Sequence, residues 1–295
     1  MYLMHFKVVG LIPSKLSTDL LNVDFLIHPI DFFLLVFSTL LIAGAGYIIN
    51  DYFDIRIDRI NKPEKVIVGK YIKKRVPMLT HTFMNLIAVL IGLYLSFKYH
   101  SVLPVAFHIV TTTLLWWYSV QLKKKFLSGN LVIAILSGMV PLLVGWLEIP
   151  ALEEDLGMQK FPPHIIVYSW FLILGFSLLA ASTTLIREII KDMADIKGDE
   201  SQKCKTMPIV LGIEKTKYIV IVLLIASVTG ILAVQIIHFP SMINLFYTIS
   251  FICLPLAISA VMTHYSKSRE RFILAGNFIK ISMFAAILFT FLIDA

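Results

Sequence analysis

Apolar residues in this chain gather into long, nearly unbroken runs. Eight of them cover 30–50, 76–97, 102–121, 130–147, 164–186, 218–237, 241–263 and 272–293. Most approach the ~20 residues that a helix needs to cross a hydrocarbon layer about 30 Å thick. A ninth run, at 1–12, carries Lys7 and is too short to span alone. The pattern predicts an all-α, polytopic membrane helix bundle with eight clear spans and a short N-terminal one. It forms a single transmembrane domain over 1–295.

Composition agrees with that reading. Charged residues are 15% of the 295, where a soluble domain carries about a quarter. The net charge of +7 calls for no nucleic acid, because it has a membrane explanation. Of the 26 Lys and Arg residues, 21 lie in four alternate connections at 51–75, 121–129, 187–217 and 264–271. Basic loops stay in the cytoplasm, while Glu148, Glu153, Glu154 and Asp155 fall on the other side. The expected location is the cell (inner) membrane, with any site on the basic face open to the cytoplasm. Cys204 and Cys253 are too few for a disulfide framework. The N-terminus has no basic region, apolar core and small-residue cleavage site in series, so no cleaved signal is expected.

Two acidic clusters then change the picture. Asn50, Asp51, Asp54 and Asp58 follow one apolar run, and Asp192, Asp195 and Asp199 follow another, in the connections 51–75 and 187–217. Both place carboxylates at i, i+3 and i+7. Arg56 and Lys62 recur as Lys197 and Lys203, at a constant offset of 141 residues. On a helix this spacing aims three carboxylates to one side, where they repel. A divalent cation relieves the repulsion, and all-oxygen donors suit the hard ions Mg²⁺ or Mn²⁺. Mg²⁺ is commonly held by a few carboxylates plus substrate phosphates, so two such clusters suggest a bound diphosphate. The bland alternative is two solvated helix ends, and the repeated spacing weighs against it.

Basic and polar neighbours extend the candidate site. Arg187, Lys191 and Lys123 are placed to hold phosphate oxygens, although any of them also suits an ordinary positive-inside loop. Asn50 could ligate metal through its amide oxygen or cap a helix. Tyr118, Gly129 and Asn130 stand near Lys123 at span ends, where Tyr118 equally suits an interfacial belt with Trp116 and Trp117. The histidines lack paired ligand spacing and read as packed or interfacial.

The stretch NDYFDIRIDRINKPEK resembles the first aspartate-rich motif of the UbiA-type intramembrane prenyltransferases. REIIKDMADIKGD resembles the second. The resemblance covers nearly the whole chain and implies a nine-helix architecture with motifs after the second and sixth helices. It also implies Mg²⁺-dependent transfer of a prenyl group from a prenyl diphosphate donor to a lipophilic acceptor within the bilayer. Asp51, Asp54, Asp58, Asp192, Asp195 and Asp199 would serve as catalytic and metal-holding residues, joined by Asn50 as a ligand. Arg187, Lys191, Lys123, Tyr118 and Asn130 would bind diphosphate. Within the family, REIIKD, DIKGD and KTMPIVLG look most like the branch that transfers geranylgeranyl to geranylgeranylglyceryl phosphate. Two departures stand out. The family's first helix opens with a basic, Asn-containing stretch, and Met1 falls partway into it, which predicts a shortened N-terminus. Many relatives also follow the first motif with Arg-Pro, where this chain has Glu64-Lys65-Val66-Ile67, leaving Lys65 and Lys70 as weaker phosphate candidates.

Three other readings compete. An aromatic quinone precursor as acceptor would keep the chemistry and change the nucleophile to a ring carbon. A divalent-cation transporter fits the internal repeat, but transporters set carboxylates near the bilayer midplane rather than at span ends. A CDP-alcohol phosphotransferase would need Gly and Ala-Arg at fixed places in its acidic motif, and neither cluster has them.

Overall fold

The computed structural model describes Met1 and residues 27–156 and 163–293. The expected N-terminal segment at 1–12 falls outside them, Met1 apart. The described helices are α1 (Pro29–Asn61), α2 (Arg75–Lys98), α3 (Leu103–Val120), α4 (Ser128–Leu156), α5 (Pro163–Ser201), the short α6 (Met207–Leu211), α7 (Ile213–His238), α8 (Met242–Tyr265) and α9 (Arg269–Phe289). All but α6 contain a stretch long and apolar enough to cross a membrane. Large apolar side chains such as Phe33, Leu40, Phe83, Phe97, Leu178 and Phe284 stand exposed on the surface, as expected where lipid is the solvent. Among the described residues the only extended pairing is one bridge between Val68 and Ile72.

The helices outrun the apolar runs that announce them. α1 has 33 residues and α5 has 39, about 50 and 58 Å at 1.5 Å per residue, well beyond a hydrocarbon core of about 30 Å. Residues 51–61 and 187–201, expected as parts of loops, are therefore the last turns of α1 and α5. Nothing in either stretch breaks a helix. α1 ends at Asn61, and its non-helical cap Lys62 precedes Pro63, whose ring disfavours helical backbone in the residue ahead of it. Local signals mark other ends as well. Pro29 and Pro104 sit in first turns, where a missing N–H costs nothing. α8 is π-helical over Thr248–Cys253, immediately before Pro255. A wider turn there accommodates a proline that cannot donate to the carbonyl four residues back.

The helices gather into two compact units. Among the described residues the first comprises 27–132 together with Lys197–Thr206, and the second comprises Ile133–Ile196 and 207–293.

In the first unit α1, α2 and α3 pack together around small or apolar residues such as Ala45, Ile49 and Ala88. Polar contacts join them where no water competes. The His108 Nε2 lies 2.6 Å from Ser38 Oγ, and His81 Nδ1 lies 3.0 Å from the Ala45 carbonyl. These histidines are packed, as expected. At the N-terminal end of α1, buried Asp31 takes Lys98 Nζ at 2.6 Å. It also accepts from the Tyr99 hydroxyl at 2.7 Å and the Tyr94 hydroxyl at 3.2 Å. Burial and then the bond to Asp31 push the Tyr99 phenol up to about 12, so it stays a donor throughout the physiological range.

In the second unit α4 meets α5 at glycine. A Cβ on Gly138 would lie 2.8 Å from the Ser177 carbonyl oxygen and 3.1 Å from Ala181 Cβ. Small residues of this kind let membrane helices approach closely. Ser282 of α9 donates to the Ile252 carbonyl in the π-helical turn at 2.9 Å, and Thr248 donates to Gln235 of α7 at 2.8 Å. Because the Ser177 backbone cannot retreat, Gly138→Ile should force α4 and α5 apart and lower stability by roughly 1–3 kcal/mol. Thermal unfolding in detergent measures this; an unchanged midpoint would show that the interface has slack.

Candidate active site

The first acidic motif is built around Lys123. Asn50, Asp51, Asp54 and Asp58 occupy successive turns near the end of α1. Asn50 is not a cap, because the helix runs straight through it. Its amide nitrogen donates to Asp54 Oδ2 at 2.7 Å. Lys123 Nζ donates to Asn50 Oδ1 at 3.0 Å and to Asp54 Oδ1 at 2.5 Å. The Lys123 and Asp54 side chains are only 10% and 15% exposed, so this pair is screened less than an ordinary surface pair. Asp58 pairs with Lys62 at 3.2 Å, while Asp51 and Arg56 are exposed. Phe53, within the motif, packs edge-on against Trp116 of α3.

A glycine sets the position of Lys123. The lysine lies in a 3₁₀ turn, Leu122–Lys124, between α3 and α4. A Cβ on Gly129 would fall 2.7 Å from Lys123 Cα and 3.0 Å from both the Lys123 nitrogen and the Leu122 carbonyl oxygen. These are backbone atoms, so no rotamer change relieves the clash. Half-buried Tyr118 and buried Asn130 flank the turn, near the end of α3 and the start of α4.

The last turn of the second motif belongs to the same unit. Gly198 N–H donates to Asn61 Oδ1 at 3.0 Å, and a Cβ on Gly198 would lie 2.4 Å from Asn61 Nδ2. The glycine of DIKGD thus lets the end of α5 lie directly on the end of α1. Asp199, the next residue, is buried. Its carbonyl accepts from the Cys204 N–H at 3.0 Å, and Lys205 N–H donates to the Lys124 carbonyl at 2.7 Å. Burial, with the Asp199 carboxylate adding to it, raises the Cys204 thiol to about 11. That thiol is therefore not a nucleophile near neutral pH.

Asp192 and Asp195 lie on the same helix as Asp199 but in the other unit, both half-buried. Asp195 accepts from Arg269 of α9 at 3.2 Å. Arg187 and Lys191, expected to hold phosphate oxygens, meet buried Glu188 at 2.6 and 3.5 Å. Lys65 and Lys70 are exposed, with Lys70 over the Tyr71 ring. Among the described residues no three carboxylate, histidine or cysteine groups converge on a single point. Asp54, Asp58 and Asp195 are turned instead onto Lys123, Lys62 and Arg269. The same unit as Asp195 holds an apolar cavity of about 600 Å³ among α5, α7, α8 and α9. Gly175 and Gly230 leave open space along it.

Residues 20–288 match the profile of the UbiA prenyltransferase family. The chain belongs to that family. It is 30% identical over 246 residues to the digeranylgeranylglyceryl phosphate synthase of Methanosphaera stadtmanae, covering 83% of this chain and 80% of that one. It is 28% identical over 225 residues to the synthase of the same name from Sulfurisphaera tokodaii, covering 75% and 73%. The apo structure of a UbiA homolog from Aeropyrum pernix K1 has a similar fold, with a TM-score of 0.64 at 16% identity over 97% of this chain and 96% of that one. This UbiA protein is an integral, multi-pass membrane prenyltransferase, taking a prenyl diphosphate donor and a lipophilic acceptor.

Four residues of this arrangement escape a reading of the sequence: Asn61, Gly198, Glu188 and Arg269. Gly198 alone carries a local signal, because a glycine within a helix costs about 1 kcal/mol relative to alanine and needs a packing reason. Lys123→Met should leave the fold intact and lower turnover of prenyl diphosphate roughly 10²-fold, the scale of losing one donor to developing negative charge. Gly129→Ala, which adds one methyl group and removes no functional group, should reproduce that loss by displacing the Lys123 backbone. Steady-state kinetics on the two purified variants checks the pair; a Gly129→Ala enzyme with wild-type turnover would show that the turn can yield.

Proposed function

We propose that this protein transfers a geranylgeranyl group from geranylgeranyl diphosphate to geranylgeranylglyceryl phosphate, forming an ether. The observation that carries this reading is Lys123, held between Asn50 and Asp54 on the first motif. It is a nearly buried ammonium whose present partners are exchangeable oxygen acceptors, as a diphosphate is. The shared name of the curated relatives supports the choice of donor and acceptor.

The donor set fits a hard divalent cation. Asp51, Asp54, Asp58 and buried Asp199 share one unit with the amide oxygen of Asn50, and all of them offer oxygen. We assign Mg²⁺, with Mn²⁺ as a substitute, to these residues. Asp192 and Asp195 join the assignment on the strength of the repeated spacing. When bound, the cation neutralises charge that builds on the departing diphosphate.

The chain's own residues supply the rest. Lys123 turns from Asp54 to a diphosphate oxygen and donates to it as the C1–O bond breaks. Arg187 and Lys191 can leave Glu188 for the same class of ligand. The apolar walls of the bundle keep water from the allylic carbocation. The cavity between α5 and α7–α9 has the volume and lining suited to an isoprenoid chain. The acceptor hydroxyl attacks C1, and a carboxylate takes its proton. We place the motifs in the cytoplasm, on the inner face of the cell membrane, because the basic connections lie on their side.

Protein reconstituted in liposomes should transfer labelled geranylgeranyl from its diphosphate to geranylgeranylglyceryl phosphate and stop when EDTA is added. Asp51→Ala and Asp195→Ala should each lose at least about 10²-fold in kcat. Product formed only with an aromatic acceptor would keep the mechanism and replace the acceptor. Divalent-cation flux without any transfer would replace both.

A further inference from the structure

The apolar cavity of the second unit is closed at one end. There the Phe171 ring of α5 packs on His238 of α7, with centroids 4.2 Å apart. Phe239, the residue after α7, meets Phe289 of α9 edge-on at 5.5 Å. Thr248 of α8 donates to Gln235 of α7 in the same wall, and the Gln235 amide donates on to the Phe239 carbonyl at 2.5 Å. Four helices thus seal this end. At the other end the wall is made by Ser182, Leu185 and Ile186 of α5 with Leu223 of α7. Between α5 and α7 the cavity is open to the side, because Leu174, Leu178 and Gly230 line it and are exposed. A chain can enter there from the bilayer.

α5 joins this cavity to the second motif within the same unit. Phe171, Leu178 and Leu185 line the cavity at intervals of seven residues, and Asp192 follows at the same interval. Seven residues make about two helical turns, so the four positions share one face of α5. Phe171 stands at the sealed end and Asp192 beyond the other. Leu185 lies about 10 Å short of Asp192 along the axis, which leaves room for a diphosphate. From Leu185 back to Phe171 the axis measures about 21 Å. An extended chain advances about 1.15 Å per bond, as a polypeptide does over its three bonds per residue. A twenty-carbon prenyl chain, fifteen bonds from end to end, then reaches about 17 Å, and a twenty-five-carbon chain about 22 Å. The first stops short of the Phe171 ring, and the second meets it.

We infer that Phe171, backed by His238, limits the prenyl donor to twenty carbons, with the chain laid along α5 from the Asp192 end to the sealed end. The inference rests on the proposed donor and on the place given to Asp192 at its diphosphate. A membrane acyl chain meets the same apolar wall but brings no diphosphate to Asp192. The proposed acceptor carries a twenty-carbon chain too, so the two chains must be varied separately.

Unreactive thiolodiphosphates with fifteen, twenty and twenty-five carbons test this by native mass spectrometry of the detergent-purified protein, which reads binding without turnover. The wild type should bind the twenty-five-carbon analogue roughly tenfold more weakly than the twenty-carbon one, the scale on which an apolar pocket rejects an oversized ligand. Phe171→Ala should remove that difference. Gly175 lies one turn from Phe171, and a Cβ there meets nothing within 4 Å, so Gly175→Leu adds bulk to the cavity without a backbone clash. It lies about 15 Å from Leu185, beyond the roughly 13 Å of a fifteen-carbon chain. Gly175→Leu should therefore weaken the twenty-carbon analogue roughly tenfold and leave the fifteen-carbon one unchanged. That variant decides the matter should Phe171→Ala fail to fold. A length profile that Gly175→Leu does not move would overturn the proposal. In the transfer assay, kcat/KM across the donors should follow the binding profile, while farnesyl- and geranylgeranylglyceryl phosphate should be discriminated alike by wild type and variants. A shift in the acceptor profile with the donor profile unmoved would give the cavity to the acceptor and overturn the proposal. If the wild type transferred to no glycerol lipid while the donor profile held, the proposed acceptor would fail and the length limit would stand.

Discussion

Like charges on one helix face at the edge of a bilayer must be compensated, and much of the structure around the two motifs answers that need. Each motif stacks carboxylates a turn apart, and neither can retreat into hydrocarbon. Two features meet the demand. The helices carry the motifs past the membrane, as the 33 residues of α1 and the 39 of α5 show. Basic residues from other places in the chain then approach: Lys123 from the α3–α4 turn, Arg269 from the start of α9 and Lys62 from just past the end of α1. These partners are cations able to hold other anions, so in the proposed reaction what stabilises the unliganded enzyme would also prepare it for a diphosphate.

Backbone proximity, rather than side-chain chemistry, sets the precision of the first-motif site. Gly129 and Gly198 each stand where a single methyl group would strike a neighbour at under 3 Å. One fixes the turn that carries Lys123, and the other seats the end of α5 on Asn61. Neither glycine contributes a functional group. Each removes the distance that any other residue would impose, so the polar groups around them keep their reach of 2.5 to 3.0 Å.

Much of this was legible in the sequence, and the remainder had physical reasons to stay hidden. Long apolar runs predicted the eight spans, because a bilayer selects on hydropathy and length. The runs stopped at the hydrocarbon edge, and the helices did not. Asp51–Asn61 and the residues after Arg187 were therefore expected in loops, although nothing in them breaks a helix. The carboxylates, Lys123 and the glycine beside it were recognisable from spacing and from resemblance. Asn61 with Gly198, and Arg269 with Asp195, join residues 137 and 74 positions apart, and no local pattern encodes such pairings. Glu188 was hidden for a different reason. It sits among cations read as phosphate holders, and its burial is a tertiary fact.

Cys204 gives the enzyme an accidental gauge. Its thiol is buried against the turn that follows Asp199, and burial keeps it protonated near neutral pH. Any excursion that frees the end of α5 would bring the thiol into water and return its acidity toward that of a free cysteine. The rate at which a thiol reagent modifies that sulfur atom would then measure how often the last turn of α5 leaves its seat. Occupancy of the neighbouring carboxylates would register as a change in that frequency.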